Sequence, residues 1–115
     1  MALPEISVYD VQSDTNQMFR MVRFSIPGGV TSPSEFVNAL AALEAKIPGH
    51  LPVLINGRGP VWGYGMLMHA AHPTPAIATY DPRMLGYVIT QTHDERFKLG
   101  ELLPAIEEQD KATSN

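Results

Sequence analysis

Strand-like and helix-like segments alternate along this chain in the order β-β-α-β-α-β-β, which predicts an α/β fold, a reduced Rossmann-like domain on a mixed sheet. Three observations carry that prediction. The apolar runs Pro52–Ile55 and Ala76–Tyr80 lie one helix-length apart, as parallel strands joined by a crossover helix do. Ser32-Pro33-Ser34-Glu35 is a capping box with proline at the first helical position, a clear helix start. The runs Ile6–Val11 and Met18–Ile26, joined by the polar stretch Gln12–Asn16, read as a hairpin.

In the second strand Met18, Val22, Phe24 and Ile26 share one parity with Arg20, so one face is expected to be mostly buried. Arg20 and Arg23 read as solvated surface charges. Pro27-Gly28-Gly29 then releases the chain from the sheet. From the capping box, Phe36, Leu40, Leu43 and Ile47 form a single apolar stripe, and Pro48-Gly49 ends the helix. Val61 to His72, broken only by Gly63 and Gly65, is long enough for about three turns at 3.6 residues per turn. Pro82 stops the strand Ala76–Tyr80, because proline cannot extend a central ladder. Leu85–Thr92 follows after so short a turn that it must run antiparallel. The stretch Asp94–Ile106, with Leu99, Leu102, Leu103 and Ile106, is expected to pack as a short turn or helix. Residues 1–108 are read as one domain and 109–115 as a disordered tail, frayed from Lys111 to Asn115. The middle strands should be parallel, with right-handed crossovers placing helices over the sheet.

A length of 115 residues allows one core and not two, and 44% hydrophobic with 17% charged residues is an ordinary globular balance. There is no cysteine, so a disulfide framework and thiolate metal sites are excluded, and any metal must rest on His, Asp, Glu or backbone. No apolar stretch approaches the roughly 20 residues of a membrane helix, and Met1-Ala2-Leu3-Pro4 does not begin a signal peptide. A soluble, cytoplasmic protein is expected. A net charge of −4 argues against duplex DNA or long RNA as a ligand, since their binding draws on many Lys and Arg contacts to phosphate. A small anion needs only a few cations, and Arg58 and Arg83 could supply them if the acidic end, Glu107-Glu108-Gln109-Asp110, points elsewhere.

The loop Asn56-Gly57-Arg58-Gly59-Pro60 ends one strand and opens the next helix. Glycines admit a close backbone approach, and proline suits the first helical position, so Gly57, Arg58 and Gly59 could hold an anion above the helix start. They equally suit a plain turn. Asp81, at the carboxyl end of the next parallel strand, should face the same crevice as Arg58, although an Asp-Pro turn needs no function. His69 and His72, three apart, share one helix face, a spacing fit for two ligands on one metal. Helix-end histidines beside the negative pole of the dipole show the same spacing.

The run Gly57-Arg58-Gly59-Pro60-Val61-Trp62, then His69 and His72, Thr74-Pro75, Tyr80-Asp81-Pro82-Arg83 and Gln91-Thr92-His93 closely resembles the small CRISPR-associated ring nucleases of the third, Csx-type family. The resemblance covers about Leu51 to His93. It implies a CARF-like version of the fold and a metal-dependent phosphodiesterase, manganese preferred, that degrades the cyclic tetra-adenylate messenger of type III CRISPR defence. Family members are also described as exoribonucleases removing 3′ adenosines, and are thought to sandwich the ring between dimers. Carried over by position, the functional residues are His69, His72, Asp81, Arg83 and His93. Tyr64 and Pro73 stand where relatives would have further histidines, and the turn after Arg83 is one residue longer.

On this reading His69, His72 and His93 would hold manganese, Asp81, His72 and Arg83 would act in catalysis, and Gly57, Arg58, Gly59 and Arg83 would bind ligand. The topology separates these residues into two poles. His69 and His72 lie about 12 to 18 Å down the helix at about 1.5 Å per residue, and His93 is carried the same way by about eight residues at roughly 3.3 Å each. Either two sites exist or copies stack head to tail, from dimers into tetramers or larger assemblies. Cleavage would run by attack of a ribose 2′-hydroxyl on its own phosphate, with metal or Arg83 offsetting charge and His72 or Asp81 moving protons. A binding module that captures a cyclic oligoadenylate without cutting it is the rival reading, and a structural domain with an incidental metal the weaker one.

Overall fold

The computed structural model describes residues 3–106. The expected domain limit at residue 108, the acidic end and the tail 109–115 lie outside the described residues. Within them the order is β1 (Glu5–Gln12), β2 (Met18–Ser25), α1 (Pro33–Ala41), β3 (Val53–Gly57), α2 (Val61–Ala71), β4 (Ala76–Asp81), β5 (Gly86–Thr92) and β6 (Leu102–Pro104). The strands form one mixed sheet in sequence order, β1 to β6. As expected, the middle is parallel: β2 pairs with β3 and β3 with β4 in parallel, and the outer pairings are antiparallel.

Each parallel pairing needs a crossover, and α1 and α2 provide them. Both helices pack on one face of the sheet, where Phe36, Leu40, Leu67 and Ala71 meet Val22, Phe24, Val53, Ile55 and Ile77 in one buried cluster. The opposite face buries Phe19, Met21, Leu54, Ala78, Tyr87 and Ile89 beneath Phe97, with Leu103 and Ile106 packed against them. β2 is therefore apolar on both sides, not on one: Phe19 and Met21 serve one face, Val22 and Phe24 the other. An interior strand of a covered sheet has no solvent face to alternate with.

The two β2 arginines are correspondingly engaged instead of solvated. Arg20 Nε donates to Asp10 at 2.9 Å, and its Nη1 donates to the carbonyls of Lys46 and Pro48 at 3.3 and 3.2 Å. Arg23 Nε donates to the Tyr9 hydroxyl at 2.8 Å.

The capping box at Ser32 and Glu35 is present as read. The helix it starts is shorter than the apolar stripe implied, ending at Ala41, and a 3₁₀ turn at Glu44–Lys46 replaces its last turn. Ile47 is still fully buried, because the tighter turn delivers it to the same core. The Arg20 contacts to Lys46 and Pro48 fix the chain where it leaves that turn.

The stretch after Asp94 turns as read, with Phe97 N donating to the Asp94 carbonyl and Glu101 N to that of Lys98, and then forms a sixth strand, not a helix. Ile89 N donates to the Glu101 carbonyl at 2.9 Å and Gly100 N to the Ile89 carbonyl at 2.8 Å, which lays the chain along the open edge of β5. Gly86 makes that approach possible, since a Cβ there would lie 2.6 Å from the Leu103 carbonyl oxygen. With three residues and a proline, β6 is too short to show a period in sequence. Among the described residues no helix is long and apolar enough to cross a membrane.

Candidate functional site

β2, β3 and β4 point their carboxyl ends at one crevice of about 960 Å³, lined among others by Arg58, Trp62, Tyr64, Tyr80 and Thr31. Its floor is an aromatic cluster. Phe24 packs edge-on against Phe36 at 5.8 Å and Tyr64 at 5.2 Å, and Phe36 against Trp62 at 5.7 Å between ring centroids. The loop Gly57-Arg58-Gly59 closes over Phe24. A Cβ on Gly57 would sit against the Phe24 carbonyl oxygen and 2.5 Å from that ring, and one on Gly59 2.6 Å from the ring, so the two glycines make room for Phe24, its backbone as well as its side chain.

Arg58, between them, is exposed and has no hydrogen-bond or ion-pair partner among the described residues. Helix α2 begins at Val61 as read, with Pro60 as its N-cap in extended geometry instead of its first residue, and no side chain capping it. The positive end of the helix dipole and Arg58 thus meet at the crevice mouth, an arrangement that favours an anion. In the crevice wall, the Thr31 hydroxyl is shielded from solvent and has no partner among the described residues.

Asp81 was expected to face the crevice with Arg58, but at this end of β4 the residues that line it are Tyr80 and Pro82, and Asp81 and Arg83 stand beside it in the turn that follows. The Asp81 carboxylate accepts from Arg83 N at 2.8 Å and from Arg83 Nη2 at 3.4 Å, so it holds its own turn together. Those two hydrogen bonds keep its acid well below the ordinary carboxylate range. A carboxylate so held stays charged near neutral pH and is a weak proton acceptor. The Arg83 guanidinium is mostly exposed and available to a phosphate.

The histidines are at the other end of the molecule. The register of β4 with β5 pairs Asp81 with Gly86 at one end and Ala76 with Thr92 at the other, so His93 emerges beside the start of β4. There His93 N donates to the Pro75 carbonyl at 2.8 Å. α2 descends to the same end, where buried Thr74 donates to the Ala71 carbonyl at 2.7 Å and secures the helix terminus. The His72 and His93 rings meet at 5.3 Å between centroids with planes 84° apart. Gln91, on the His93 face of β5, donates to the His72 carbonyl at 3.1 Å and approaches His93 Nε2 at 3.5 Å. Its period-two spacing from His93 is the sequence signal that puts the two on one face.

The donor set tests the expected metal. Two imidazoles this close can share one divalent ion, but no group of three His, Asp or Glu side chains able to hold a metal forms among the described residues. His72 and His93 are brought together, and His69, exposed on α2, does not complete a third ligand with them. Among the described residues one chain therefore brings together two of the three histidines.

The sequence pattern of the family described as CRISPR-associated protein (Cas_csx3) matches residues 32–104, more than half of the chain. The chain belongs to the Cas_csx3 family. That match runs from the capping box to β6, so it takes in both crossover helices as well as both poles. A protein of Aquifex aeolicus (strain VF5), described only as uncharacterized, is 32% identical over 98 residues, 84% of this chain and 84% of its own length. The Cas_csx3 membership makes this a CRISPR-associated protein.

Proposed function

We propose that the chain is a metal-dependent phosphodiesterase that opens cyclic tetra-adenylate and so switches off type III CRISPR antiviral signalling in the cytoplasm. The observation that carries the reading is the placement of an anion-favouring crevice and a histidine pair at opposite ends of one β4–β5 hairpin. Five residue steps of β4, at roughly 3.3 Å each, put about 17 Å between the poles. Neither reaches the other within one chain. Copies stacked head to tail present the histidine pair of one to the crevice of the next, with the ring between them.

In that junction Arg58 and the α2 amide end hold one phosphate, and Arg83, oriented by Asp81, offsets charge on the phosphoryl oxygens of the one that reacts. His72 takes the proton of the 2′-hydroxyl as its oxygen bonds to phosphorus. The bond from phosphorus to the 5′-oxygen breaks, leaving a cyclic phosphate and, once protonated, a 5′-hydroxyl. His72 and His93 would hold manganese, which when bound would supply Lewis-acid stabilisation of the same oxygens, and His69 would join them only from another arrangement of copies. An imidazole on the metal is no base, so the two roles given to His72 exclude each other at one nitrogen.

Incubating the protein with defined cyclic oligoadenylates, with and without manganese, tests the reading. Linear products ending in a cyclic phosphate are expected from the tetra-adenylate ring. Shortening of linear RNA from its 3′ end would make it a deadenylating exoribonuclease instead. Recovery of the intact ring from a tight complex would make it a binding module, a reading favoured by the fact that Arg58 and its crevice are complete on a single chain.

A further inference from the structure

We propose that Trp62 is a stacking platform for a nucleobase, which makes the crevice a subsite for base and phosphate together and not for an anion alone. The inference rests on the nucleotide reading of the ligand and names how the crevice holds it. Trp62 is the chain's single tryptophan. It lies in the first turn of α2, and 36% of it is exposed, although it lines the cavity. Its ring is held edge-on at 85° by Phe36, which is itself fully buried. The indole is thus fixed from below and open at the mouth. A side chain needed only to fill the core would not leave a third of itself outside, and a solvent position would not need the largest apolar ring.

The neighbours fit the same ligand. Trp62 lies four residues after Arg58 across an uncapped helix start, so a base on the indole carries its sugar phosphate toward the guanidinium and the helix amides. Tyr80 gives the wall a second aromatic surface. Every base has a π-face, so stacking gains affinity without requiring a particular edge contact, and Arg58 supplies the charge that phosphate needs. The volume of about 960 Å³ is at the upper end of the range for small-molecule sites and holds a base with its ribose phosphate.

Because there is one tryptophan, its fluorescence reports the crevice directly. The wild-type protein is titrated, without added metal, with linear tetra-adenylate and with an abasic chain of the same length and charge. The base-containing chain should quench the fluorescence and the abasic chain should bind more weakly without quenching. By calorimetry, Trp62→Ala should lose roughly 10- to 100-fold in affinity for tetra-adenylate, about 1.4 to 2.8 kcal/mol, with abasic binding unchanged, and Trp62→Phe should recover most of it. Equal binding of both chains without quenching overturns the proposal, as does a folded Trp62→Ala that binds tetra-adenylate like wild type. If Trp62→Ala fails to fold, the wild-type quench alone decides. No cleavage enters the test: stacking without ring opening would sink the phosphodiesterase reading alone, and ring opening without a quench would sink this one alone.

Discussion

The Tyr64 hydroxyl donates to the Gly57 carbonyl across 2.5 Å, tying the first turn of α2 to the last residue of β3. Burial raises the Tyr64 phenol above its ordinary value, partly offset by that bond. A raised folded value means that the stability gained from the neutral phenol is fully present below the unfolded value of about 10 and is lost as pH rises through the folded one. Tyr64→Phe should cost about 1 kcal/mol at neutral pH, the usual net worth of one hydrogen bond, and should flatten the alkaline fall in stability. Urea unfolding at a series of pH values above and below 10 measures both.

Gly57→Ala should destabilise the protein by about 1 to 3 kcal/mol, the usual scale of overpacking, because the added methyl meets the Phe24 backbone carbonyl and a Phe24 ring already wedged between Phe36 and Tyr64. Gly65 is the control. A Cβ there meets nothing within 4 Å, so Gly65→Ala on α2 should raise stability by up to about 1 kcal/mol. Thermal melts that rank the two variants the other way would contradict this account of the loop.

Arg58→Ala should leave the melting temperature unchanged, since the side chain has no partner among the described residues. Affinity for a cyclic oligoadenylate should fall by about 1 to 3 kcal/mol, the scale of a charge-assisted hydrogen bond. Unaltered affinity by calorimetry would reduce the loop to a lid on Phe24.

Asp81→Ala and His72→Ala should each be nearly inactive alone. Mixed, they should regain part of the activity, and more of it at higher protein concentration, because some junctions then pair an intact crevice pole with an intact histidine pole. Turnover by the mixture is compared with co-assembly measured by light scattering. A co-assembled mixture as dead as its components would show that the poles do not share a site.

Much of the fold was legible because it is local. The capping box at Ser32, the turn at Asp81-Pro82 and the short link into β5 each act within a few residues, and each stands where the sequence places it. What failed depends on contacts distant in sequence. The two-sided burial of β2 needs Phe97 from the far end of the chain, the short α1 goes with carbonyls held by Arg20, and β6 exists because β5 has an open edge. At the site, the placement of His72 beside His93 followed from strand direction alone. The aromatic floor did not, since Phe24, Phe36 and Trp62 come from three elements and share no spacing.

The same register that separates the poles also fixes what happens at the ends of a stack. Copies joined head to tail leave one crevice unmet at one end and one histidine pair unmet at the other, whatever their number. A pair therefore wastes half of its poles, and a long row almost none. If the chain opens the ring as proposed, output per molecule would climb with row length and fall on dilution, so the cell could set the lifetime of the messenger by the amount of this small protein alone.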